Sequence, residues 1–139
     1  EYSDNREYSG WRLLKNVARY LYDRNGPMAS AAFEIAARMK TALRTHDFDA
    51  FARLDAEFNR LCIAACRNEL AGSMMQVIAP LSRRFWFTHH GRTLSKEGVE
   101  AHIEIALALS RGDAKAALSG TQRLLRYVES RIGQSSVTA

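Results

Sequence analysis

Residues 48–67 read FDAFARLDAEFNRLCIAACR. Phe51, Leu54, Phe58, Leu61 and Ala65 recur at steps of three and four, the spacing that puts side chains on one face of an α-helix. Asp55, Asn59, Cys62 and Cys66 follow at steps of four, three and four, so they share a second face beside the first. A carboxylate and an amide therefore ride at the edge of an apolar row. Burying an unpaired carboxylate is expensive, so Asp55 requires a cation, a metal or several donors. Arg12, Arg83 and Arg84 are the candidate cations. Asp47, just before the helix, has a side chain suited to capping it.

The same period extends in both directions. Towards the N-terminus, Ala32, Ile35, Ala36, Met39 and Leu43 form the stripe of a helix from Pro27 to about Thr45. Trp11, Leu14, Ala18 and Leu21 predict another over about 11–23, stopped by Asn25-Gly26-Pro27. Towards the C-terminus, a helix starts at Asn68 or Glu69 and reaches about Thr88, with Pro80 expected to kink or split it. His89 and His90 close it, where protonated imidazoles favour the helix dipole. Ser95 caps a helix over 96–110, and Asp113, after a tight turn at Gly112, caps one from Ala114 to about Ile132. Nowhere does apolar and polar character alternate with the period of a strand. The fold class expected is all-α, an antiparallel bundle of about six helices.

Composition narrows the function classes. The chain has 139 residues, a single-domain length, with 47% apolar and 25% charged residues, which excludes global disorder. No apolar run approaches a membrane span, and the first ten residues lack the apolar core of a secretion signal. The two cysteines make no disulfide framework, and a cytoplasmic setting is expected. The net charge of +5 comes from dispersed basic residues, which read as solvated helix faces rather than a nucleic-acid groove.

No phosphate loop, nucleophile elbow or zinc-protease helix occurs. Cys62 and Cys66 lack a second ligand pair at zinc-finger spacing and read as core thiols. His102 lies in a helix rich in alanine, leucine and isoleucine and reads as enclosed: a satisfied core residue, or with Asp55 part of a polar cavity. Phe85-Trp86-Phe87 is the densest aromatic cluster, serving as core, cavity wall or contact surface.

The stretch FARLDAEFNRL (51–61) followed by AACRNEL (64–70) resembles the effector-binding C-terminal domain, of FCD type, of GntR-type transcription regulators of the FadR branch. That family's pattern is F-x-x-L-D-x-x-F-H, then A-x-x-N-x-x-L. EAHIEIALALSRGDAKAA (100–117) is similar to its E-H-x-x-I-x-x-A-I-x-x-G-D-x-x-A-A pattern. The resemblance covers about 48–132 and extends more weakly over the first two helices.

In that family an Asp, a His four residues on and two later His hold a divalent metal at the cavity floor. The corresponding positions here are Asp55, Asn59, His102 and Leu124. The only cofactor implied is thus a zinc- or nickel-like ion, weakly held by Asp55, Asn59 and His102, because an amide is a poor ligand and leucine is none. Without an ion, Asp55 must be neutralised otherwise, and the cavity opens to neutral, cationic or more apolar molecules. The effector-binding set expected is Asp55, Asn59, His102, Arg84, Phe58 and Cys62. Met74, Met75, Phe85 and Trp86 are further apolar wall candidates, and Arg83 or Arg84 suits an effector carboxylate.

The resemblance implies a non-enzymatic sensor: a domain that binds a small organic acid or related metabolite, forms a homodimer, and touches DNA only through a winged helix-turn-helix reader outside this chain. Residues 1–10 read as a linker from that reader, 11–132 as the sensor and 133–139 as a disordered tail. The chain is therefore expected to be a fragment, or a sensor freed from its reader. Two rival readings are a small enzyme using Asp55 and His102 as an acid–base pair, and a helical adaptor that exposes Phe85 and Trp86 to a partner protein. The sensor reading requires Asp55 and His102 to meet over an open chamber.

Overall fold

The computed structural model describes residues 27–135. The helix expected over 11–23, its Asn25-Gly26 stop, the linker at 1–10 and Arg12 lie outside them. The described residues form five helices and no strand: α1 (Pro27–Arg44), α2 (Phe48–Cys66), α3 (Glu69–His90), α4 (Lys96–Ser110) and α5 (Ala114–Ser135).

The helix starts follow from local chemistry. Asp47 accepts from the Ala50 amide at 2.9 Å, Asn68 from Ala71 at 3.0 Å, Ser95 from Gly98 at 3.3 Å and Asp113 from Ala116 at 2.9 Å. Each bond satisfies an amide that the first turn leaves without a partner. The turn at Gly112 uses a φ of 69°, which glycine adopts without strain. α3 runs unbroken through Pro80, against the expected split. The carbonyl that Pro80 leaves without a helical donor belongs to Gln76, and both residues are exposed, so water can serve it. α5 continues past Gly133 to Ser135, because an exposed helical glycine costs only about 1 kcal/mol.

α4 is the central element. Val99, Ala101, Ile103, Ile105, Ala106, Ala108 and Leu109 are buried around most of its circumference. It packs on α1 and α5, while α2 packs on α1 and α3. Ile35 and Met39 of α1, Leu54 and Phe58 of α2 and Leu109 of α4 belong to one continuous core. The neighbours therefore run α3, α2, α1, α4, α5, and the two end helices meet where the rings of Trp86 and Tyr127 stand 5.8 Å apart. A cavity lies inside that curve. The opposite face of α3 carries Leu70, Met74, Val77 and Leu81, spaced four, three and four apart and all more than half exposed.

Candidate functional site

The cavity has a volume of about 500 Å³ and is lined from α2, α3, α4, α5 and the segment before α4. Phe48 and Phe51, Met75 and Trp86, Leu94 and Val99, and Leu124 and Tyr127 form apolar walls. Asp55, Asn59, Arg83 and His102 form a polar patch among them.

Three helices build that patch. Asp55 and Asn59 are one turn apart on α2, so the Asn59 amide nitrogen donates to the Asp55 carbonyl at 2.9 Å and to Asp55 Oδ2 at 3.2 Å. Arg83 reaches across from α3, its Nη1 donating to the same Oδ2 at 3.1 Å. His102 comes from α4. Its Nδ1 stands 2.7 Å from the Gly98 carbonyl, so Nδ1 carries hydrogen and Nε2 faces Asp55 Oδ1 at 3.4 Å. The Phe51 ring meets the imidazole edge-on at 5.5 Å. Gly98 is required at this junction: a Cβ there would stand 2.9 Å from Tyr127 Cε1.

The two titrating groups move in opposite directions. Burial pushes the Asp55 carboxyl up, but the hydrogen bond and charge of His102, then those of Arg83, outweigh it and hold its pKa below the usual value. Burial pushes His102 down, but the Asp55 hydrogen bond and charge, with the Gly98 carbonyl, raise its pKa above the usual value. Each shift favours the charged form of its group.

Of the residues singled out in the sequence, Asp55, Asn59 and His102 converge here, and Arg84 reaches the same cavity with its side chain exposed. Arg83, not Arg84, is the cation on Asp55. Phe58 and Cys62 do not line the cavity, a correction to the expected wall. Phe58 is turned into the main core at 5% exposure, and Cys62 packs against that core half-buried. Burial pushes the Cys62 thiol up to about 12, with Cys66 and Asp55 adding to the effect, which suits an inert core thiol. Met74 and Phe85 also lie outside the wall and are exposed, whereas Met75 and Trp86 line it. His90 departs from the protonated cap: desolvation, with Arg131 and His89 nearby, lowers its pKa.

Phe48, Phe51, Leu94 and Tyr127 were not singled out as wall residues. Tyr127 follows Leu124 by three residues, a helical step that carried the signal. Arg92, paired with Asp49, lies over the rings of Phe48 and Phe87 at 5.5 and 5.9 Å.

The side chains do not fit a tightly held divalent ion. Both Asp55 oxygens already face partners, Asn59 turns its amide nitrogen to Asp55, and Leu124 offers no donor. Among the described residues no group of three His, Cys, Asp or Glu side chains could hold one. No helix among them is long and apolar enough to cross a membrane.

No curated protein and no solved structure matches the chain. The FCD domain family matches residues 13–127, which takes in α2, α3 and α4 and the cavity-lining residues Leu124 and Tyr127 of α5. The helical bundle, its polar-floored cavity and a match over most of the chain lead to one conclusion: the chain belongs to the FCD domain family, the regulatory effector-binding domain of GntR-type transcription regulators.

Proposed function

We propose that this chain is the sensor of a cytoplasmic, FadR-branch GntR-type regulator, and that its cavity takes a small organic acid. The carrying observation is the cavity itself: about 500 Å³, with apolar walls and one polar patch supplied by three helices. Arg83, with His102 when protonated, sets positive charge around the single carboxylate of Asp55. An anionic group on the effector balances that charge while its apolar body meets Trp86, Leu124 and Tyr127. The acid–base enzyme reading is not favoured, because the family matched over residues 13–127 is a regulatory one.

A homodimer joined to winged helix-turn-helix readers completes the proposal. α3 supplies one wall of the cavity and carries the exposed Leu70, Met74, Val77 and Leu81 row on its other face. Antiparallel pairing of two such rows about Val77 would bring Glu69 of one copy near Arg84 of the other. Neither has an ion-pair partner among the described residues. An effector that shifts α3 would then shift the seam and the spacing of the readers. A coupling of about 1–3 kcal/mol gives a several-fold change in DNA affinity.

A thermal-shift screen of organic acids against the full chain tests the reading, followed by titration calorimetry on Arg83→Ala and His102→Ala. A bound acid should raise the melting temperature, and each variant should lose about tenfold or more in affinity. The reading fails if no acid binds, or if one binds both variants as tightly as the parent chain.

A further inference from the structure

We infer that the Arg83 guanidinium has taken over, in this chain, the counter-charge role that the family resemblance assigns to a divalent ion, so that the cavity works without a metal. This deepens the sensor reading and rests on it only where the effector is concerned. Asp55 is mostly enclosed, its side chain 14% exposed, and needs positive charge beside it. Arg83 supplies that charge from α3, a helix that carries none of the four implied metal positions, at 3.1 Å from Oδ2. Asn59 donates to the same oxygen at 3.2 Å, which fixes its amide nitrogen, and not its oxygen, towards the carboxylate. A cation on Oδ2 would displace both contacts and face the guanidinium at close range. At the fourth position Leu124 closes the wall with hydrocarbon. The changes at 59 and 124 and the Arg83 contact agree with one another: each removes a donor from an ion or replaces its charge.

The exchange also changes what holds an effector. A metal binds a carboxylate through open coordination positions, whereas a guanidinium presents a planar fork of N–H donors. Arg83 uses Nη1 on Asp55, and its side chain is 31% exposed. Its remaining donors can then serve an incoming anion while Nη1 stays on Asp55.

The test uses the full chain, stripped with a chelator and dialysed against micromolar free zinc, with metal analysis and melting by circular dichroism. The parent chain should hold far less than one zinc per chain and melt at the same temperature with zinc or chelator. Arg83→Met should melt about 3 °C or more lower in chelator, and Arg83→Lys should recover most of that loss. The triple variant Arg83→Met, Asn59→His, Leu124→His should take up one zinc per chain and be stabilised by it. One zinc per parent chain whose removal lowers its melting temperature overturns the inference, as does Arg83→Met melting like the parent. Should the triple variant not fold, the parent and the Arg83 pair decide. None of these readouts involves an effector, so a chain that takes no zinc and also binds no organic acid sinks the sensor reading alone.

Discussion

The contact between Asp55 and His102 can be measured as a coupling energy, by a double-mutant cycle of Asp55→Ala, His102→Ala and the pair. Both side chains border an existing cavity, so truncation enlarges that space rather than opening a new void in the core. Two unit charges at the observed 3.4 Å attract with about 5 kcal/mol gross at an effective dielectric of about 20, and desolvation cancels most of it. The side chains are 21% and 14% exposed, between a surface pair worth about 0–1 kcal/mol and a fully buried one. The separation exceeds the usual charge-assisted bond, so a coupling of about 1 kcal/mol is expected. Its pH window follows from the two shifts. The raised His102 contributes fully below the ordinary histidine value of about 6.5 and loses its contribution as pH rises through its folded value. The lowered Asp55 contributes above 3.8 and loses its contribution as pH falls through its own folded value. The coupling should therefore be complete at about pH 5.5 and decline at higher pH, above the ordinary histidine value. Urea denaturation of the four proteins, at one fixed protein concentration, measures it. A coupling under about 0.3 kcal/mol at the lower pH, or one unchanged at higher pH, would refute a charged Asp55–His102 contact.

Three further outcomes test other parts of the structure. With its thiol pushed up to about 12, Cys62 should resist alkylation by iodoacetamide in the native protein at mildly alkaline pH and react only on unfolding; mass spectrometry of the labelled chain reads this. Gly98→Ala would place a Cβ 2.9 Å from the Tyr127 ring, and overpacking of about 1–3 kcal/mol should outweigh the gain in helix propensity of about 1 kcal/mol. A variant that melts at or above the parent temperature would show that the α4–α5 contact is looser than described. Val77→Glu, at a position 62% exposed, should leave the far-ultraviolet spectrum unchanged and convert a dimer to a monomer in sedimentation; a dimer that persists removes the α3 row from the interface.

Much of the fold was legible before any coordinates. Helix positions depend on local spacing and caps, and Asp47, Ser95 and Asp113 act where their side chains predicted. Pro80 and Gly133 misled because both sit on exposed helix surface, where a missing hydrogen bond or side chain costs little. The polar patch was half legible. The four-residue step from Asp55 to Asn59 is local, and the enclosed setting of His102 followed from its apolar neighbours. Phe58 misled because an apolar residue one turn from Asp55 serves core and cavity equally well in the linear pattern.

Sequence alone determined five described helices, the caps Asp47, Ser95 and Asp113 and a carboxylate that could not stay unpaired, because each depends on residues within a turn or two of one another. Only the tertiary structure decided that Arg83 rather than Arg84 meets Asp55, that His102 approaches from a third helix, and that Leu124 and Tyr127 close the wall. Those choices are set by how far each helix is rotated about its axis where it packs on its neighbours, a quantity that no single segment carries.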